Sequence, residues 1–212
     1  QVVPDRGRQT SNPTGLDIDE RQGWHRTRNG NRSRRLAGMS TARQWPDAPV
    51  TVRWVRDQAG FEALQADWNR LCAATPQATV FQRHEWFSAA WQWQCHSHVL
   101  AIVVIEAAGV PIGIAPLACT RVSAGRYLPA VRVLEFVQVP DSQCCELLAA
   151  VPDLPAVATA LAGALVKAPS QWDELRLRLL AADSPTTAAL ASALATAGLR
   201  PARQATGSNP MH

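Results

Sequence analysis

Apolar positions along the chain change period several times, and each change marks an element. Residues 50–55 (VTVRWV) alternate apolar and polar, as a half-buried strand does. Phe61, Leu64, Trp68 and Leu71 then recur every three to four residues, which predicts an amphipathic helix of about three turns. Residues 85–93 repeat that period with aromatic side chains. Trp86, Ala90 and Trp93 share one face, with Phe87 and Trp91 beside it. Such a stripe reads first as core, with an acceptor-binding platform as the alternative. Residues 99–107 (VLAIVVIEA) barely alternate, which is the pattern of a strand covered on both faces. Ala108-Gly109 marks a tight turn, so residues 110–118 return as its antiparallel partner. Pro111 and Pro116 lack ladder donors and predict an irregular or edge course there.

The second half continues in shorter pieces. Residues 131–137 and 146–149 read as strands, and Pro155 opens a helix through Lys167 with Val157, Leu161 and Leu165 on one face. Leu175, Leu177 and Leu179 alternate with Arg176 and Arg178, a half-exposed strand. Ser184-Pro185 is an N-cap with proline at the first helical position, and Gly198 is placed to end that helix. Residues 199–204 begin as a strand would. The order β, α, α, β-hairpin, β, β, α, β, α predicts an α/β domain with a mixed sheet.

Charge divides the chain differently. Of its 212 residues, 21 are Lys or Arg and 17 are Asp or Glu. Residues 1–38 hold eight arginines against four acids, while residues 39–212 hold thirteen of each sign. The excess therefore belongs to a leading segment rich in Arg, Gly, Asn and Ser with no apolar period, which reads as disordered. It is either an arm or sequence upstream of a true start at Met39. The expected domain spans residues 39–204, with residues 205–212 a tail at a truncation. The absence of a basic groove argues against nucleic acid as partner. No apolar run approaches the roughly 20 residues of a membrane span, and no signal-peptide pattern opens the chain, so a cytoplasmic protein is expected. Five cysteines without C-x-x-C spacing suit neither a disulfide framework nor zinc. Cys95-His96-x-His98 has ligand types but no second pair to complete about four ligands, so no metal is expected.

Certain segments resemble a known family. Phe81 with Glu85-Trp86, residues 110–117 (VPIGIAPL), residues 134–141, residues 172–177 (WDELRL) and Asp183-Ser184-Pro185-Thr186 before a Leu-rich helix resemble the CelD/BcsL-type acetyltransferases of the GNAT superfamily, associated with cellulose or exopolysaccharide biosynthesis. The resemblance implies a GNAT-like mixed sheet with helices on both faces. It also implies transfer of an acetyl or other acyl group from acyl-CoA to an amine or hydroxyl of a small-molecule, glycan or peptide acceptor. In such proteins two GNAT-like halves follow one another, and the second usually holds the acyl donor. Here the resemblance ends at the junction, so this chain is expected to be the N-terminal half and to have little activity alone. The uncovered apolar surface predicts self-association.

A GNAT donor site holds the CoA pyrophosphate on backbone N–H groups at a helix N-terminus, approached by a glycine-rich loop. Residues 121–126 (RVSAGR) are the nearest approach but carry one glycine at the wrong spacing, and they read as a strand connection. Before Asp141, Gln138-Val139-Pro140 stands where glycines are expected. The acyl-CoA site is therefore expected in the second half, with its residues unknown. Two candidates remain for the base that takes the acceptor's proton. Asp141 follows a strand, and its alternative is to start a turn with Pro140 and Ser142. His84 precedes the aromatic helix, where Glu85 suits the helix dipole whatever its other role. A non-catalytic GNAT-like binding module is the alternative to the enzyme.

Overall fold

The computed structural model describes residues 48–200 apart from 77, 124, 127–128, 139–144 and 169. The arm expected at residues 1–38, the start at Met39 and the tail at 205–212 lie outside the described residues.

Strand β1 (Val50–Val55) leads to helix α1 (Gln58–Ala63), whose N-cap Asp57 accepts from the Gly60 N–H at 2.8 Å. The expected single helix is two, because Leu64 ends α1 and starts α2 (Gln65–Ala74). The four periodic residues Phe61, Leu64, Trp68 and Leu71 are all buried as their spacing required. A one-turn 3-10 helix (Val80–Gln82) with a Thr79/Gln82 capping box precedes α3 (His84–Gln94). On α3 the buried line is His84, Phe87, Ala90 and Trp91. The aromatic stripe is thus rotated from the expected one: Trp86 is half-buried, edge-on to Phe81 at 4.7 Å, and Trp93 is 80% exposed.

The hairpin that follows is longer than its sequence pattern, and each of its arms is broken once. One arm is β2 (His98–Leu100) and β3 (Ile102–Ala107); the other is β4 (Val110–Ala115) and β5 (Leu117–Val122). Ala108 and Gly109 turn between them, both with positive φ (50° and 77°), which suits the twist of a two-residue hairpin. The breaks fall at Ala101 and Pro116. Ladder pairing crosses them, since Ala101 N–H donates to Leu117 O at 3.0 Å, and Pro116, without an N–H, still accepts from Val137 N–H at 2.9 Å. Beyond the breaks each arm acquires new neighbours. The first halves form an antiparallel sheet β1-β3-β4-β7, with β7 at Leu148–Ala149. The second halves form a mixed sheet β2-β5-β6-β8, with β6 at Val131–Phe136 and β8 at Glu174–Arg176. Its β6–β8 pair is parallel, and the others are antiparallel.

Helix α4 (Leu154–Lys167) carries the chain from β7 toward β8, and α5 (Pro185–Thr196) follows. Ser184 caps α5 through Thr186 N–H, and Gly198 at φ 82° closes it with Leu199 N–H donating to Leu194 O. Successive residues of β3 point to opposite faces, and each face has its own helices. Val103 and Ile105 join α4 and α5, whereas Ile102 and Val104 join α1, α2 and α3. The described residues form an α/β fold of two sheets with helices on both faces of the antiparallel one. Among the described residues no helix is long and apolar enough to cross a membrane.

Candidate functional site

His84 stands in the first turn of α3 with 4% of its surface exposed. Its ring lies between Phe61 and Trp68, at centroid distances of 4.5 and 5.5 Å. Nε2 is 3.0 Å from Phe61 O, and the His84 backbone N–H donates to Asn69 Oδ1 at 3.1 Å. So placed, the imidazole ties α3 to α1 and α2. The neighbouring Glu85 is exposed and accepts from Asn69 and Gln65 of α2. Its carboxyl is held down to about 2, mainly by its own backbone N–H and then by Asn69 and Gln65. Asp141 lies outside the described residues. The nearest described residues, Gln138 and Cys145, follow the C-terminal end of β6, and Gln138 O accepts from Gln94 Nε2.

A different polar group comes together on one face of the mixed sheet. In register, His98 faces Thr120, Ala118 faces Glu135, and Glu135 lies beside Arg176. Residues paired in this way project to the same side, so His98, Thr120, Glu135, Glu174 and Arg176 share a face across four strands. His98 Nε2 is 3.4 Å from Glu135 Oε1, with side-chain exposures of 16% and 14%. The contact favours the ring proton on Nε2, which leaves Nδ1 to accept from Ser97 Oγ at 2.8 Å. A carboxylate beside an imidazole, largely shielded from water, can accept a proton from an incoming amine or hydroxyl. Arg176 donates to Glu174 through Nε and a terminal nitrogen at 2.9 and 2.8 Å. The sequence held one sign of this group: Glu135 interrupts the otherwise apolar run of residues 133–137. Its partner His98 is 37 positions away, and only the strand register joins them.

The parallel pair is locked at its start by a second ion pair. Arg132 N–H and Nε both donate to Asp173 Oδ2 at 2.9 Å, and the other Asp173 oxygen takes Arg132 at 2.6 Å. The guanidinium holds the Asp173 carboxyl far below the usual carboxylate range. Nearby, Trp54, Arg56, Cys119, Gln171 and Trp172 border a notch of about 40 Å³, which has room for water but none for a cofactor. Burial pushes the Cys119 thiol up, away from the reactive thiolate.

The helix N-terminus that could hold a pyrophosphate is chemically unsuited to it. Pro152 and Pro155 remove backbone donors at the start of α4, and the buried Asp153 adds a carboxylate there. No glycine occurs between Gly125 and Gly163 to let a phosphate approach the chain. Arg121 and Val122 end β5, paired with Arg132 and Val131 of β6. The α5 N-terminus is already served by a protein carboxylate, because Ser184 Oγ donates to the buried Glu146. Among the described residues no group of three or more His, Cys, Asp or Glu could hold a metal ion. Cys95 and His96 are exposed. No family model matches the chain, and no curated protein or solved structure matches it.

Proposed function

We propose that this chain is the N-terminal half of a GNAT-type acyltransferase of the CelD/BcsL kind, and that it presents the acceptor. The observation that carries the reading is the topology. Helices pack on both faces of the antiparallel sheet, and the mixed sheet's only parallel pair among the described strands, β6–β8, is bridged by α4. In this reading the acceptor amine or hydroxyl lies over the polar face, and its proton passes to Glu135 beside His98. The acceptor heteroatom attacks the thioester carbonyl, and the CoA thiolate leaves. The start of α4, with its two prolines and Asp153, gives acyl-CoA no cradle, so the donor is assigned to a second half outside the described residues. The resemblance directs the acceptor search to exopolysaccharide building blocks, ahead of peptides and small amines.

The same α4 terminus favours one rival, a non-catalytic GNAT-like module that only binds an acceptor or a protein. Two measurements separate the readings. Acetyl-CoA titrated calorimetrically into the chain should give no micromolar binding, about −8 kcal/mol; such binding would put the donor site in this chain. The transcript downstream of the His212 codon, expressed together with this chain, should transfer labelled acetyl groups to a panel of amines and hydroxyls. Glu135→Gln should lower kcat more than it raises KM. Absence of any transfer by the extended protein would leave the binding module as the better reading.

A further inference from the structure

Strand β8 is the outermost strand of the mixed sheet, and no described element pairs with its far edge. An unpaired edge is a template for another strand, and proteins that keep it free shorten it, bulge it or place charges, most often lysines, on it. The charges of β8 have a different pattern. Its sequence is Glu174-Leu175-Arg176, which reads as its own complement when two copies run antiparallel about Leu175. In that register each Glu174 faces Arg176 of the other copy, on the same face of the sheet. Inside one chain these two side chains already hold each other at 2.8 Å, so both are oriented along the face where a second pair would meet them. On the opposite face Leu175 would meet Leu175. It borders an apolar crevice between β8 and α5, lined by Leu177, Leu190 and Leu194 among others. A two-fold axis satisfies both faces at once, because a self-complementary patch is what an isologous contact requires.

We propose that two copies of this chain associate through their β8 edges, forming one continuous eight-stranded sheet. The charges set the register, and the leucines supply the apolar contact. This inference is independent of the acyltransferase reading.

The test is a charge-swap cycle on the full chain. Light scattering over a dilution series should show a dimer that dissociates on dilution. Glu174→Arg or Arg176→Glu places like charges opposite each other and should weaken the dimer about tenfold or more. The double swap, Glu174→Arg with Arg176→Glu, should restore it. Far-UV circular dichroism confirms that each variant is folded. Amide exchange supplies a readout without mutation: protection at residues 174–176 should grow with protein concentration. A monomer at every concentration, a dimer indifferent to the single swaps, a double swap that fails to restore association, or exchange independent of concentration would each overturn the proposal.

Discussion

A methyl group on Gly113 would have no space. An added Cβ would lie 2.3 Å from Val157 Cγ1 and 2.7 Å from Cγ2, far inside van der Waals contact. Gly113 therefore sets how closely α4 approaches β4. Gly113→Ala should cost about 1–3 kcal/mol, read as a lower midpoint in denaturant melts. Adding Val157→Ala should return part of that loss, because it removes the clashing atoms. Two independent, additive losses would mean that the helix seats itself elsewhere. The tryptophans show how much position matters for one residue type. Trp68 has no exposed surface, and its indole N–H donates to Gln82 O at 2.8 Å. Trp93, on the next α-helix, keeps 80% of its surface in water. Both are apolar in composition, yet only the first contributes fully to the core.

Helices α2 and α3 are held together at their exposed rim by Glu85 and in their interior by Trp68, His84 and Phe87. The rim contact has a pH signature. Glu85 falls from an ordinary 4.5 to about 2 in the folded state. A depressed carboxyl stabilises above its unfolded value and loses that contribution as pH falls through the folded one. Stability should therefore drop between about pH 4.5 and 2, and Asp173, held lower still by Arg132, extends the loss in the same direction. Glu85→Gln keeps the shape but removes the titration, so its stability should fall less steeply over that window. Equal slopes in variant and parent would show that the Asn69 and Gln65 contacts do not persist in solution.

At the scale of the molecule, the two apolar clusters share their strands. Neighbouring β3 residues alternate between them, and Ile102, Val103, Val104 and Ile105 are each no more than 1% exposed. Neither face can open without uncovering the back of the other, so unfolding should be a single transition. Leu165→Ala in α4 should cost about 2–5 kcal/mol. With Trp54 and Trp172 of its own cluster replaced by Phe, it should also shift the midpoint seen by the fluorescence of Trp68 and Trp91, which lie in the opposite cluster. Helical ellipticity should move with it. Separate midpoints for the two signals would mean that the faces unfold as independent units.

Local chemistry determined the parts that depend on a few adjacent residues. Alternation in residues 50–55 specified β1, Ala108-Gly109 the turn with two positive φ angles, and Ser184-Pro185 with Gly198 both ends of α5. The barely alternating run of β3 likewise announced burial on both faces. Each of these signals acts within one turn or one strand, where backbone sterics and periodicity suffice. Tertiary structure decided the rest. The sequence alternates to Leu179, but β8 pairs only over Glu174–Arg176, because its partner β6 ends at Phe136 and Leu179 turns away at φ 61°. The hairpin arms break at Ala101 and Pro116, where the neighbouring strands change from one sheet to the other. His84, a candidate base from its place before the aromatic helix, is an interior tie, since two aromatic neighbours from other helices close around it. His98 and Glu135 meet only because β5 lies between their strands. Such contacts join residues far apart in the chain, and their free energy depends on how whole faces pack, which no local period encodes.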